Sequence, residues 1–248
     1  MGELSKRRES IDNLAVVLWD TYGVIPCLLQ EFLSIYPLLN PPALTTAASN
    51  RACNALALLQ CIAAHDATRD LFLEARLPLY LYPFLNTTSK TKPFEYIRLT
   101  SLGVIGALVR NDSVNVVEFL LKTEIIPLCL RILDIGTELS KTVSLFIIQK
   151  IAASSLGISY IMANGERLDA ICTVLVNILM PPFDGLAVRV VKHAIKCLHT
   201  LSFNAQCCEY LRRRFFDKLK GEALAEYVAE DAQTSTIFGE LMGNLNKI

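Results

Sequence analysis

The sequence is poor in the features that mark membrane proteins and nucleic-acid-binding proteins. Charged residues interrupt each apolar run before it reaches the roughly 18 residues of a membrane-spanning helix. The longest run, Ile97 to Val109, already contains Arg98. The charged N-terminal segment is not followed by the apolar stretch of a signal peptide. The 24 basic residues balance 24 acidic ones, so net charge gives no argument for nucleic acid or anionic lipid. We expect a cytoplasmic or nuclear protein that does not associate with membranes.

The motifs of enzymes and of metal centres are also missing. The chain has no C-x-x-C and no H-E-x-x-H, and only three histidines. No G-x-S-x-G turn presents a nucleophile, and no glycine-rich loop stands between a strand and a helix to hold phosphate. We therefore expect a protein that is not an enzyme and that has no catalytic residue, metal or cofactor.

The composition requires a large buried core. Hydrophobic residues make up 52% of the chain and charged residues only 19%, far from the balance of a disordered segment. Six of the eight cysteines fall within apolar helical stretches, where free cysteine behaves as a small hydrophobe. We expect these six to be reduced core residues: Cys27, Cys53, Cys61, Cys129, Cys172 and Cys197.

Apolar residues recur with helical spacing from end to end, which predicts an all-α protein. A proline flanked by aliphatic residues recurs at intervals of about fifty residues, in VIPCLL (24–29), LPLYL (77–81) and IIPLCL (125–130). A longer apolar helix follows each copy. Proline fits the first turn of a helix, so the repeating unit is a short helix, a proline-opened helix and a long helix. Two loops, Asn40 to Asn50 and Asn86 to Lys92, interrupt the period, and Asp66 is a candidate N-cap.

Each such unit leaves an apolar face that only the next unit can cover. Periods of roughly 40 to 47 residues are typical of armadillo and HEAT repeats. The sequence therefore predicts an armadillo-type helical-repeat solenoid of about six repeats, the first incomplete. Residues 1–248 are predicted to form a single armadillo-like domain that binds other proteins.

Three groups of residues are candidates for binding. Trp19, Tyr22, Phe32 and Tyr36 lie in the first apolar segment, 14–39, where they form either an internal hydrophobic cap or a docking face. Gly103 and Gly106 lie within one helix, and they serve either close helix packing or a shallow groove for a partner helix.

The third group is the basic run Arg212, Arg213 and Arg214, with Lys218 and Lys220 after it. Such a run is usually a solvated helix face. The alternative is a weak nucleic-acid site of a transcription or RNA regulator, with Phe215 and Phe216 as stacking residues.

Several long strings of the sequence resemble the cell-differentiation (Rcd, "required for cell differentiation") family, whose members are the armadillo-like subunit of the Ccr-Not deadenylase complex. The resemblance is dense from Ser5 to Ile151 and thinner afterwards. The strings that carry it are NPPALT (40–45), SNRACNALALLQCIAAH (49–65), KTKPFEYIRLTSLGVIGALV (90–109), TEIIPLCLRIL (123–133) and GTELSKTVSLFIIQKI (136–151).

The resemblance implies a non-enzymatic adaptor that promotes mRNA deadenylation, translational repression and mRNA decay in the cytoplasm, including P-bodies, and in the nucleus. It implies that Asp20, Tyr22 and Leu33 contact the large Not scaffold subunit, together with Trp19 of the aromatic face. It also implies a groove for short amphipathic helical motifs of RNA-binding regulators, with Gly103 and Val143 at matching positions.

In relatives, tryptophan-bearing peptides of microRNA silencing proteins dock on the C-terminal helices. The corresponding segments, 162–170 and 204–214, keep little of the family pattern beyond Glu166 and Arg167, and we add Arg167 to the peptide-groove residues. The resemblance further implies that the chain begins inside the family's first repeat. A homodimer that buries the aromatic face on itself is a further alternative.

Overall fold

A computed structural model describes residues 2–7, 11, 13–183 and 188–247 of the chain. Within those ranges the chain forms 16 α-helices and three short 3-10 helices, and no strand. The predicted all-α fold class is confirmed.

The chain divides into two compact units, residues 1–144 and 145–248. The prediction of one domain over residues 1–248 and the predicted number of repeats stay predictions.

The helices of the first unit are α1 (Gly2–Arg7), α2 (Leu14–Asp20), α3 (Val24–Leu33), α4 (Thr46–Ala64), α5 (Asp66–Glu74), α6 (Tyr82–Leu85), α7 (Lys92–Leu108), α8 (Val114–Leu121) and α9 (Ile125–Ile135). Helix α10 (Glu138–Ala153) begins in the first unit and ends in the second. The second unit continues with α11 (Ser155–Met162), α12 (Gly165–Ile178), α13 (Val188–Ser202), α14 (Ala205–Leu219), α15 (Glu222–Ala229) and α16 (Ala232–Asn246).

The core of the first unit lies where the long helices α4 and α7 pack along one another. The apolar face of α4 includes Leu56, Leu59 and Ile62, and that of α7 includes Leu102 and Ile105. All five side chains are at most 1% exposed. The spacing of three and four residues that predicted these helices from the sequence therefore marks the buried face of each.

Hydrogen bonds join residues about one repeat apart. In the first unit Ser49 Oγ donates to the Pro93 carbonyl at 2.7 Å, and Asn111 Nδ2 donates to Asp66 Oδ1 at 3.2 Å. These pairs are 44 and 45 residues apart in sequence. In the second unit Asn244 Nδ2 donates to Ser202 Oγ at 3.0 Å, across 42 residues. The separations agree with the period that the sequence analysis proposes.

The proline lies in the first turn of its helix in all three predicted copies, and two of these helices are α-helices. Pro26 is the third residue of α3 and Pro127 the third residue of α9. The copy at Leu77–Leu81 instead forms a 3-10 helix, and α6 follows it directly with Pro83 as its second residue. Pro83 would stand in the interior of one continuous α-helix from Leu77, where it has no N–H to donate and its ring clashes with the preceding turn, which accounts for the break.

Two predicted helix boundaries are wrong by a few residues. Helix α4 starts at Thr46, inside the predicted loop 40–50, because Thr45 Oγ1 caps it by accepting from the Ala48 N–H at 3.3 Å. The N-cap of α5 is His65, whose Nδ1 accepts from the Ala67 N–H at 3.2 Å. Asp66 is the first residue of α5 and accepts instead from Arg69 Nη2 at 2.7 Å.

The cysteines are less uniformly buried than predicted. Cys129, Cys172 and Cys197 are fully buried, whereas Cys53 and Cys61 are half-buried and Cys27 is exposed. The prediction is wrong for Cys27, because α3 is covered on the side of Leu28 and Phe32, and Cys27 points away from that side.

No single helix among the described residues is long and apolar enough to cross a membrane. Two helix pairs reach that length together, and each is sharply bent. The bend is 92° between Leu14–Asp20 and Val24–Leu38, and 95° between Glu138–Ala153 and Ser155–Met162.

Thiol labelling tests the burial of the cysteines. Burial raises the pKa of the Cys129 thiol to about 12 and also raises the pKa values of Cys172 and Cys197. Since the thiolate is the reactive form, a maleimide at neutral pH is expected to label Cys27 first in the folded protein. Mass spectrometry of digested samples gives the order of labelling. The Cys27→Ser variant should lack this first, rapid labelling. Rapid labelling of Cys129, Cys172 or Cys197 in the folded protein would contradict the structure.

Candidate binding surfaces

The turn between α2 and α3 presents the most exposed aromatic side chain of the described residues. Tyr22 has a relative exposure of 102%, and the next residue, Gly23, has φ 80°. Glycine adopts this left-handed backbone without strain, and no atom lies within 4 Å of the position where a Cβ would stand. The glycine therefore allows the sharp turn that places Tyr22 beyond both helices.

The four aromatics predicted as one face divide into two groups. Phe32 is fully buried and packs edge-on against Phe84 with ring centroids 6.0 Å apart. Tyr36 is half-buried and donates from its hydroxyl to the Tyr80 carbonyl at 2.5 Å. Trp19 is half-buried, and Tyr22 alone is fully exposed. The internal cap therefore holds for Phe32 and Tyr36, and the docking face is reduced to Tyr22 with the exposed part of Trp19.

The remaining predicted scaffold contacts flank this turn. Asp20 is exposed at the end of α2, and Leu33 is half-buried at the end of α3. The structure adds Val17, which is 56% exposed on α2, and the exposed Pro26 on α3. Sequence reasoning missed these two because it singled out only the aromatic residues of segment 14–39. We define the α2–α3 face by Val17, Trp19, Asp20, Tyr22, Pro26 and Leu33.

The two helical glycines lie between long helices of the first unit. A Cβ on Gly103 would stand 3.6 Å from the side-chain amide of Gln60 on α4. A Cβ on Gly106 would stand 3.4 Å from Val143 Cγ1 on α10. Gly106 is buried, whereas Gly103 and Val143 are half-buried. The structure thus brings Gly106 and Val143 together. Gly106 therefore serves close helix packing, and Gly103 lies on an open, shallow surface.

Arg167 belongs to the second unit and has its own partners there. Its guanidinium carbon lies 3.6 Å from the centroid of the Tyr160 ring, and Nη1 donates to the Tyr160 carbonyl. Its backbone N–H donates to Asn164 Oδ1 at 3.1 Å, which caps α12. The residue therefore ties the start of α12 to α11. Whether it belongs to a peptide groove stays a prediction.

All three arginines of the basic run are paired with carboxylates. Arg212 Nη2 lies 2.7 Å from Glu209 Oε2, and Arg213 bonds to the other oxygen of Glu209. Arg214 Nε lies 2.9 Å from Asp169 Oδ1. A phosphate would have to compete with these pairs, so the run is a weak candidate for nucleic acid.

The structure also shows a buried cation that the sequence analysis took only as an interruption of an apolar run. Arg98 is 0% exposed, and its Nη1 lies 2.6 Å from Glu95 Oε1. Its Nη2 donates to the carbonyls of Thr87 and Ser89, each at 2.9 Å. Arg98 thus fixes the loop before α7, and a charge within an apolar helical run was the available signal.

A metal centre would need several clustered ligands. In the part of the chain that the structure describes, no three His, Cys, Asp or Glu side chains come together in this way. In the second unit, Cys207 Sγ lies 2.9 Å from Met162 Sδ.

The chain is similar to known proteins over nearly its whole length. A model of the cell differentiation family, Rcd1-like, matches residues 1–245. The cell differentiation protein rcd1 of Schizosaccharomyces pombe is 53% identical over 99% of this chain and 87% of its own length. Protein CAF40 of Saccharomyces cerevisiae is 47% identical over 99% of this chain and 66% of its own length. The match extends through the C-terminal helices, where the resemblance noted in the sequence is thinnest.

Solved structures with a similar fold are armadillo repeat proteins. A designed armadillo repeat protein in complex with the peptide (KR)4 has a TM-score of 0.61 at 15% identity, over 99% of each chain. A computationally designed armadillo repeat protein for modular peptide recognition has a TM-score of 0.62 at 16% identity, over 98% of each chain. The predicted armadillo-type architecture is confirmed.

Alanine substitution distinguishes the two roles of the glycines. Glycine inside a helix costs roughly 0.5–1 kcal/mol relative to alanine, so Gly103→Ala is expected to raise the free energy of unfolding by about that amount. The added methyl group makes only ordinary contact with Gln60. Gly106→Ala serves as the comparison. Its free energy of unfolding should rise by less, because the added methyl group contacts Val143. Urea denaturation measures both, and destabilisation by Gly103→Ala would contradict an open surface at that position.

Proposed function

Because the chain belongs to the Rcd1-like cell differentiation family, we propose that it is a non-enzymatic adaptor of the Ccr-Not complex. It binds the large Not scaffold subunit and presents regulators to the complex, in the cytoplasm and the nucleus. Deadenylation, translational repression and mRNA decay follow from this recruitment. The nuclease chemistry belongs to other subunits.

The observation that carries the proposal is the complete exposure of Tyr22. A tyrosine with no intramolecular burial exposes a large apolar ring to water, and tyrosine is one of the residue types enriched in binding hot spots. Val17, Asp20 and Pro26 are exposed beside it along the chain, and Trp19 and Leu33 are half-buried. A helical partner could cover the apolar members of this α2–α3 face, and Asp20 would lie at its polar rim.

The surface at Gly103 supports the second part of the proposal. Helix α7 has no side chain at this position, and the half-buried Gln60 and Val143 lie on the helices to either side. An amphipathic helix can approach a glycine more closely than any other residue and can place its own side chains there. We therefore propose that short helical motifs of RNA-binding regulators dock along α7.

A single substitution tests scaffold binding. Tyr22→Asp puts a charge on the α2–α3 face, and it should leave folding intact because the side chain is fully exposed in the free protein. We expect co-purification with the Not scaffold to fall by at least about tenfold, since a desolvated unpaired charge at an interface costs more than about 1.4 kcal/mol. The measurement is a pull-down from cells that express either form.

The matched control is Tyr80→Asp, at a tyrosine that is 40% exposed and lies outside the α2–α3 face. It should bind the scaffold like the unchanged protein. Circular dichroism and thermal unfolding establish that both variants fold. Failure of the unchanged protein to bind the scaffold, or equal binding by Tyr22→Asp, would reject the proposal.

A further inference from the structure

A groove in the first unit lies outside both surfaces of the proposed function. It is formed by α5, the 3-10 helix at Leu77–Leu81, the start of α6, and α8 with the residues that follow it. Its volume is about 830 Å³, within the range of roughly 300–1,000 Å³ that is typical of ligand pockets.

The floor of the groove is apolar and partly open to solvent. Leu73 is buried, Tyr82 and Phe119 are half-buried, and Leu79 is 38% exposed. The Tyr82 hydroxyl lies 2.5 Å from Thr123 Oγ1, so its hydrogen-bonding capacity is used within the protein. The groove can therefore bury a large apolar side chain from elsewhere, and the exposed Leu79 would gain from that cover.

The rim of the groove is predominantly acidic. Four carboxylates and two cations line it, namely Asp70, Glu74, Glu118 and Glu124 against Arg76 and Lys122. Lys122 Nζ lies 2.7 Å from Glu118 Oε1, so these two charges largely cancel. Three carboxylates then remain against Arg76 alone. This imbalance contrasts with the neutral charge of the whole chain.

Part of this acidic rim is unfavourable for the free protein. Asp70 and Glu74 are four residues apart on α5, so they are neighbours on one side of the helix. Like charges at this spacing destabilise a helix. Both residues are exposed, and Asp70 accepts only a long hydrogen bond of 3.5 Å from Asn115 Nδ2. A cation bound at the rim would relieve the repulsion.

We propose that this groove binds a short protein segment that carries Lys or Arg on both sides of one or two adjacent large apolar side chains. The apolar part packs on Leu79, Tyr82 and Phe119. The flanking cations pair with Asp70 and Glu74 on one side and with Glu124 on the other. Charge complementarity selects a basic segment over an acidic one, and the apolar floor selects an anchored segment over a purely charged one.

The test uses a fluorescein-labelled peptide, KRKLFKRKG, and the full chain in fluorescence anisotropy at physiological salt. We expect saturable binding. Two further peptides isolate the two contributions: one with Glu in place of every Lys and Arg, and one with Gly in place of Leu and Phe. Each should bind at least about tenfold more weakly, which corresponds to about 1.4 kcal/mol.

The protein variant is Glu74→Lys with Glu124→Lys, which reverses two rim charges at exposed positions. Its matched control is Asp217→Lys with Glu226→Lys, which changes the net charge equally at exposed carboxylates of α14 and α15 in the second unit. Binding of the peptide should fall at least about tenfold in the groove variant and stay within about twofold in the control. Tyr22→Asp should bind the peptide normally, so this test is separate from that of scaffold binding.

Three results would overturn the proposal. The first is no saturable binding of KRKLFKRKG, and the second is an equal loss of binding in the groove variant and in its control. The third is equal affinity for the peptide that lacks Leu and Phe, which would show that the apolar floor is not used. Light scattering measures whether the free protein is a dimer. A dimer that dissociates in the groove variant would also overturn the proposal, because the groove would then bind a second copy of this chain.

Discussion

The long helices α4 and α7 each carry an apolar face that their own short neighbours cannot cover, and the rest of the first unit depends on how those two faces meet. Leu59 and Ile62 on one helix and Leu102 and Ile105 on the other lose nearly all contact with water. Once the helices are paired, polar groups one repeat apart come within hydrogen-bonding distance, as Ser49 Oγ and the Pro93 carbonyl do. Burial supplies the free energy, and these polar contacts fix the register between repeats.

Much of this could be predicted from the sequence, because the determinants are local. The spacing of apolar residues predicted the helices, and the prolines predicted the starts of α3 and α9. The interval between the proline-containing segments predicted the repeat. The errors occur where two local signals compete. Asp66 has the residue type of an N-cap, but its carboxylate is taken by Arg69, and His65 caps the helix instead. Which side of a helix is covered depends on distant residues, which is why Cys27 was wrongly assigned to the core.

The candidate binding residues were only partly predictable for the same reason. An aromatic cluster in the sequence cannot show that Phe32 packs inward against Phe84 while Tyr22 extends into solvent from the turn at Gly23. The basic run at Arg212 to Arg214 gave no sign of Asp169, which lies on another helix and pairs with Arg214, while Glu209 pairs with Arg212 and Arg213. The acidic groove was missed entirely, because its rim comes from α5, α8 and the residue before α9, which only the repeat stacking brings together.

The central claim is that the α2–α3 face is the surface by which this chain joins a larger assembly. Hydrogen–deuterium exchange of the chain, alone and with the large Not scaffold subunit, tests it most directly. The account predicts slower amide exchange in residues 14–33 when the scaffold is present, and unchanged exchange in α5 and α8. Unchanged exchange across residues 14–33 in a complex that does form, with protection elsewhere, would contradict it.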